Sequence, residues 1–521
     1  MKHASVLVQA VIAVQGVAAQ RQCWSQLTPE RLEAAITPEG LERHLRAFDR
    51  IGQEHDNNRA FGTSGYEASS DYLIEEISSS TTPDRDFRVW KQYFNHTYAE
   101  TRDIALTGPD GEDVEVYTLT YNHPTEGADG VTTEIVDIPI DDSRGRFMPC
   151  TQTPHVTCDS AIQVLTWIGS GCYADQWEGI DVTGKLALVK RGVCAISDKL
   201  RLGRENGAAG VLLVHNTDAV PNIGSLGAAN IGLLAPVGMI PLAVGEAWFD
   251  RLAAGEELTA TLLVDAIFEE RETWNVFAET VEGDADNVIV LGAHLDSVAI
   301  GPGLNDDASG VVAQIEILRA LRQFRGFPNK ILLAWWGAEE VGLVGSLHYT
   351  EGLTSDEADR IRFYFNYDMI GSPEPVYGIY VGENPADRVG AQLLLDYLVA
   401  HDKPAYFGGF GTGSDYLGFL NLGIPSSGIH TGGGGTVDPC YHLPCDVLAN
   451  VNLDPLTNNT RAAAVAAAVL ALSVEDLPPR NDVSFNPLSK NRVRSQFDQW
   501  RMLALEAEGG HRCALGDSHF A

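Results

Sequence analysis

Two histidines and a series of carboxylates stand where the sequence could hold a divalent metal ion. AHLD carries His294 and Asp296, GPGLNDDASG carries Asp306 and Asp307, AWWGAEE carries Glu339 and Glu340, FNYDMIG carries Asp368, and VDPCYHLPCD carries His442 between Cys440 and Cys445. Counting His294, Asp306, Glu340, Asp368 and His442 gives two imidazoles and three carboxylates, a nitrogen and oxygen set that suits zinc better than calcium or magnesium. Five protein ligands are too many for one tetrahedral zinc with an open position; they fit two ions that share a bridging carboxylate. Asp306 and Asp307 stand just before a helix, so one can cap it while the other ligates. Glu339 and Glu340 are adjacent and point in different directions, so one can bind metal while the other stays free as a base. Asp296 lies two residues beyond His294, on the same side of an extended strand, where it can accept a hydrogen bond from the far ring nitrogen.

These groups need a frame. NVIVLGAHLD, KILLAWWGAEE and IRFYFNYDMIG are apolar runs of strand length, and the first is followed by a helix with Val311, Ile315, Leu318 and Leu321 at a 3.6 period. The helix ADRVGAQLLLDYLVAH, the short strand IPSSGI and the alanine-rich helix NTRAAAVAAAVLAL complete an alternating pattern. Near-continuous apolar strands separated by helices imply a mixed, mainly parallel sheet covered on both faces, an α/β fold. Ligands of such sheets bind beyond the carboxyl ends of the strands. Any one acidic strand end is an ordinary solvated end, but three consecutive strands delivering such groups to one edge point to a metal site.

Upstream, the pattern from Leu27 to about Ile77 is helical, with a break at NNRAFGTSG. RVWKQYFNHTY and EVYTLTY then alternate as strands. The middle region holds a strand GKLALVKRG, a helical run ISDKLRLGRENG closed by Gly207, and a strand AGVLLVH, a βαβ element in a strand-rich module. From Leu477 the chain is rich in Pro, Asn, Arg and Ser before a helical run over residues 496–508.

MKHASVLVQAVIAVQGVAAQ reads as a secretory signal peptide over residues 1–19, its apolar run interrupted by Gln9 and Gln15 and too short to span a bilayer. Eight cysteines in an oxidising compartment favour disulfides over a cysteine-based metal site, so Cys440 and Cys445 are expected to be bridged. The sequence assigns no pairing to Cys23, Cys150, Cys158 and Cys513. Asn95 and Asn458 lie in glycosylation sequons. A formal net charge of −35 argues against nucleic acid or an anionic membrane as partner. The expected destination is the extracellular medium or a vacuole.

AHLDS, GLNDDASG, WWGAEEVGLVGS, NYDMIGS and VDPCYHLPCD, in this order over about 150 residues, resemble the co-catalytic di-zinc aminopeptidases. That family includes secreted bacterial aminopeptidases, fungal secreted leucine aminopeptidases and vacuolar aminopeptidase Y. NRAFGTSGYEASSDYL is similar to the family's N-terminal segment. GCYADQWEGIDVTGKLALVKRGVCAISDKLRLGRENGAAGVLLVHN is similar to a protease-associated (PA) domain inserted into the peptidase. The resemblance implies a zinc exopeptidase-like fold, with residues 20–125 and 268–475 forming the peptidase unit. Residues 126–267 would be a β-rich insert that gates the site, and residues 476–521 a tail.

It also implies that His294, Asp306 and Asp368 hold one zinc and that Asp306, Glu340 and His442 hold the other. Glu339 would be the general base, and Tyr441 would donate a hydrogen bond to the tetrahedral oxyanion. A disulfide Cys172–Cys194 would staple the insert. The expected substrate is the N-terminus of a peptide or protein, its free amino group held by the same carboxylates and metals and its first side chain in an apolar pocket. A carboxypeptidase of the same superfamily is the alternative within enzymes, and a non-catalytic receptor-like protein the alternative outside them. One position departs from the family: Gly413, before Ser414, stands where an arginine often occurs.

Overall fold

The computed structural model describes residues 25–78, 86–140, 170–217 and 224–478. The signal stretch 1–19, Cys23, Cys150, Cys158, Cys513 and the run 496–508 lie outside the described residues. After the short β1 (Ser25–Gln26), two threonine-proline pairs start helices. Thr28 accepts from the Arg31 amide before α1 (Pro29–Ala34), and Thr37 accepts from the Gly40 amide before α2 (Pro38–Glu54). Threonine at the N-cap satisfies a helix amide that has no partner, and proline fits the first turn, where its missing N–H costs nothing. α2 buries Leu41, Leu45, Phe48 and Ile51, and α3 (Ser64–Ser78) follows the Asn/Arg/Gly break.

The strand β2 (Phe87–Thr107) pairs antiparallel with β7 (Thr259–Thr280) along almost its whole length, and between them lies the middle module. In it, β3 (Val131–Asp137), β4 (Leu186–Lys190), β5 (Gly210–Val214) and β6 (Val237–Ile240) are consecutive parallel neighbours. Helix α4 (Ile196–Glu205), terminated by Gly207 at φ +81°, makes the crossover from β4 to β5, and α5 (Leu242–Ala253) packs beside β5. EVYTLTY differs from its expected strand: Tyr117 bridges Met239 and Thr120 bridges Ser225, so the segment touches two separate partners and forms no continuous ladder.

In the second half, β8 (Asp284–His294) runs parallel to both β10 (Asn329–Trp336) and β11 (Ile361–Tyr367). Between β8 and β10 the chain passes through α6 (Ala308–Leu321) and the two-residue β9 (Phe324–Arg325). Between β10 and β11 come α7 (Val344–Glu351) and α8 (Ser355–Arg360). The remaining elements are β12 (Tyr377–Tyr380), α9 (Asp387–Ala400), β13 (Ala405–Gly408), α10 (Tyr416–Asn421), β14 (Ser426–His430) and α11 (Leu453–Leu472). The sheet order β13-β12-β14-β11-β8-β10-β7 is parallel at its centre and antiparallel where β14 meets β12 and β10 meets β7. α6 is buried on nearly every side, so the 3.6-period stripe read from sequence describes only one of its faces. Among the described residues, no helix is long and apolar enough to cross a membrane.

Candidate metal centre

β11, β8 and β10 are neighbours and parallel, so their carboxyl ends reach one edge. His294 is the last residue of β8, Asp368 follows β11 directly, and Glu339 and Glu340 lie on the turn just past β10. Asp306 and Asp307 arrive from the loop that enters α6. The structure brings together two groups of potential ligands, His294 with Asp306 and Asp368, and Asp306 with Glu340 and His442. Asp306 belongs to both through different oxygens. Its Oδ1 lies 3.1 Å from His294 Nε2 and its Oδ2 lies 3.2 Å from His442 Nε2. Asp368 Oδ1 is 3.6 Å from His294 Nε2, and Glu340 Oε2 is 3.1 Å from His442 Nε2.

The neighbouring Asp307 takes the other task. It caps α6 by accepting from the Gly310 amide (2.9 Å), and it also accepts from the amides of His294 (3.1 Å) and Met369 (3.2 Å). A carboxylate used this way ties the ends of two strands to the start of a helix. Asp368 is held by a hydrogen-bond chain that starts in the core. Trp336 donates to the Tyr364 hydroxyl (3.1 Å) and Tyr364 to Asn366 (2.8 Å). The Asn366 amide then donates to Ser414 (2.7 Å), and Ser414 to Asp368 Oδ2 (2.6 Å).

His442 sits in the bridged turn. Cys440 and Cys445 form a disulfide with Cα atoms 5.3 Å apart, and His442 between them has φ +57°. The two aspartates flanking the bridge are both buried. Asp438 accepts from the Cys440 amide (3.0 Å) and from the side chains of Asn305 (2.6 Å) and Asn450 (2.9 Å). Asp446 accepts from the backbone amides of Asn305 (2.9 Å) and Asp306 (3.0 Å). The turn bearing one ligand thus holds the loop bearing the bridging ligand.

Charge accumulates here with little access to water, the side chains of Asp368 and His442 being only 13% and 17% exposed. Burial alone would lower the basicity of His294, but Glu339, Asp306 and Asp368 carry its pKa well above the ordinary imidazole value. His442 is raised in the same way, with Glu340 and Asp306 overcoming burial. Burial acts to raise Asp306, yet the hydrogen bonds of both imidazoles hold it well below the usual carboxylate range. Burial and the neighbouring Asp306 push Glu340 up to about 7 against the pull of His442. Glu339 is pushed well above its usual value by burial, helped by Asp415, Asp368 and Glu340 and opposed by His294. The same carboxylates that raise the two imidazoles are oriented to meet a divalent cation, whose binding would displace any proton they hold. Glu340 Oε1 is buried without a hydrogen-bond partner, as a donor atom awaiting a cation would be. The residues present therefore fit a two-metal centre with mixed imidazole and carboxylate ligands.

Residues 275–467 match the model of peptidase family M28, and residues 162–248 match that of the PA domain. A probable leucine aminopeptidase 2 of Aspergillus fumigatus is 33% identical over 452 residues, which cover 82% of this chain and 82% of the relative. The chain belongs to peptidase family M28. Aminopeptidase Y of Saccharomyces cerevisiae is 37% identical over 309 residues, 57% of each chain. A solved aminopeptidase from Aneurinibacillus sp. strain AM-1 superposes with a TM-score of 0.67 at 26% identity, covering 87% of this chain and all (100%) of that one.

Against this M28 frame, one expected contact is made differently. The Asp296 carboxylate does not hydrogen-bond His294, its Oδ1 lying 3.8 Å from Nδ1. Instead His294 Nδ1 lies 3.2 Å from the Asp296 main-chain oxygen, and the carboxylate accepts from the amides of Glu339 (3.1 Å) and Glu340 (3.3 Å). The reason is local: the turn after β10 leaves those two amides facing inward, and a buried N–H needs an acceptor. Tyr441 stands half-buried with its ring 3.8 Å from that of His442. The bridge Cys172–Cys194 is present in the middle module. Asn95 is exposed on β2, while Asn458 lies within α11 with its amide donating to the Asp454 carbonyl (2.7 Å). A side chain at Gly413 would project into open space, so the backbone does not demand the glycine found there. Asp446, Asp438 and Asn305 escape a search for ligand types because they act through backbone amides and one another. The only sequence signal for them is that the two aspartates bound the cysteine pair.

Proposed function

We propose that this M28 peptidase is a two-zinc aminopeptidase acting on peptides and proteins with free N-termini. The observation that carries the proposal is the division of Asp306 between two ligand sets, one oxygen toward His294 and the other toward His442, with Glu339 beside them. Two zinc ions in these positions would supply Lewis acidity, bringing the pKa of a water toward 7 and polarising the scissile carbonyl. Glu339 makes no hydrogen bond through its carboxylate to another described residue, and its raised pKa suits it to accept the proton of the attacking water and pass it to the leaving amine. Tyr441, next to the ligand His442, would donate to the oxyanion. The half-buried Tyr380, with Phe410 stacked on it at 5.3 Å and Tyr416 at 4.9 Å, has its hydroxyl pKa raised by burial and then by Tyr416 and Asp368, and this aromatic cluster supports an apolar first residue of the substrate.

The relatives' names, leucine aminopeptidase and aminopeptidase Y, support the same reading, and the signal-peptide reading of residues 1–19 supports a secreted or vacuolar destination. We take residues 126–267 as the insert and Asn95 as the better-exposed glycosylation site. The β2–β7 ribbon supports that boundary, since β7 pairs with β3 at one end and β10 at the other.

Hydrolysis of an aminoacyl-nitroanilide should be abolished by a chelator and restored by zinc, and an N-acetylated peptide should be left intact. Activity that survives chelation overturns the proposal, and cleavage of the acetylated peptide from its C-terminus points to a carboxypeptidase. Glu339→Ala should lower kcat by roughly 10²- to 10⁴-fold with zinc content unchanged. Zinc loss in that variant would make Glu339 a ligand or a prop.

A further inference from the structure

The segment between α2 and α3 contains a fully buried arginine with no part in the chemistry above. Arg59 is 0% exposed, and its guanidinium makes three hydrogen bonds, all to main-chain carbonyls of one loop. Nη1 donates to Leu295 (2.5 Å), Nε to Pro302 (2.7 Å) and Nη2 to Gly303 (2.8 Å). Its own amide donates to Ser297 Oγ (2.9 Å), which in turn donates to the Gly301 carbonyl (2.9 Å). That loop begins after His294 and ends before Asp306. It is folded tightly: a Cβ on Gly303, which has φ +60°, would lie 2.0 Å from the Asp306 carbonyl.

Taking a guanidinium out of water costs several kcal/mol unless its donors and its charge are both satisfied. The carbonyls satisfy the donors. The charge faces Asp296, Asp446, Asp307 and Glu340, each of which favours the protonated arginine against the cost of burial. A lysine could supply the charge but not the planar fork that reaches three separate acceptors. The Phe48 ring, 5.2 Å from the guanidinium carbon, covers the group from the helical side.

We propose that Arg59 is a positioning residue for the metal centre, buckling the 295–303 loop so that His294 and Asp306 are held at their spacing. The inference rests on the two-zinc reading. Because His294 belongs to one ligand set and Asp306 to both, loosening the loop weakens both ions. A residue that only stabilised the fold would lower the melting temperature without selecting for zinc.

The test compares wild type, Arg59→Met, Arg59→Lys and Ser297→Ala with Leu213→Ala, a destabilising change in the buried β5 strand of the insert. Each protein is stripped of metal, checked for folding by circular dichroism, and titrated with zinc against a chromophoric chelator. Arg59→Met should bind both ions about 10- to 100-fold more weakly, the range for residues that orient metal ligands. Arg59→Lys should recover part of the loss, and Leu213→Ala should bind as wild type does. If Arg59→Met does not fold, Arg59→Lys and Ser297→Ala carry the test, and both should still bind zinc more weakly than wild type. Wild-type affinity in the folded Arg59 variants, or an equal loss in Leu213→Ala, overturns the inference while leaving the two-zinc reading intact. A wild-type chain that takes up no zinc overturns that reading and the inference with it.

Discussion

The two ligand sets that meet at Asp306 are built by different means. His294 and Asp368 sit at the ends of β8 and β11, adjacent strands whose ladder already fixes their spacing. Each also has a local prop, the Asp296 carbonyl for His294 and Ser414 for Asp368. Glu340 and His442 have no ladder beneath them. Glu340 lies on a turn whose amides are caught by the Asp296 carboxylate, and His442 lies in a left-handed conformation, which costs a non-glycine residue roughly 1–2 kcal/mol. A disulfide and two buried aspartates replace the sheet there. Where a ligand rides on a strand, the fold positions it; where it rides on a turn, covalent and ionic supports must.

The largest effect should come from removing the residue common to both. Asp306→Ala takes one oxygen from each ligand set, leaving His294 without its shortest carboxylate contact and His442 with Glu340 alone. Metal analysis of the purified variant should find both ions lost, with turnover at background. Retention of one zinc at near-normal affinity would show that the two sets are independent and that Asp306 does not bridge them.

The same division governs what can be read from sequence. The strand-borne ligands are legible because apolar runs of strand length, separated by helices, place their ends on one edge by topology alone. That one of Asp306 and Asp307 caps the helix is legible too, since a short acidic side chain before a helix has one commonest use, but only the family resemblance assigns the cap to Asp307. The supports that reach across the chain to the ligand loops are not legible. Asp446 acts on backbone amides about 140 residues upstream, and Arg59 on carbonyls about 240 residues downstream, with no residue-type pattern joining the partners. Helix α7 was equally hidden, because VGLVGSLHYTE holds two glycines and no apolar period. The ribbon β2–β7 shows the reverse case. Alternation suggested strands, but their length follows from each serving two modules at once.

The turn-borne set can be weakened separately. In Cys440→Ser, Cys445→Ser the chain loses the short bridge but keeps Asp438 and Asp446 as anchors. The chain-entropy term for so short a loop is about 2 kcal/mol, a modest part of the stability of a chain this size. The freed turn no longer holds His442 at its unfavourable φ, so zinc at the turn-borne set should bind about 10- to 100-fold more weakly, with turnover falling alongside. Chelator competition should resolve this as a change in one ion and not the other. Full zinc affinity and activity in the double variant would mean that the aspartates alone suffice.

The smallest effect at the metal centre should come from the other disulfide. Cys172–Cys194 closes a loop of 22 residues, so the same entropy term rises to about 3 kcal/mol, and its loss should destabilise the insert more than the short bridge destabilises the peptidase unit. Buried beside the bridge, Lys199 donates to Cys172 Sγ (3.1 Å) and has its pKa lowered by burial to about 7. Yet none of the ligands or their supports lies in that module, whose apolar core is separate from the one beneath β8 and β10. Cys172→Ser, Cys194→Ser should therefore be cut sooner by added protease within the insert while zinc affinity stays within about twofold of wild type, well below the 10-fold expected when a ligand's support is lost. A large loss of zinc would instead show that the insert props the turn after β10. Val341, next to Glu340 and packed against the insert's core, is where that coupling would enter.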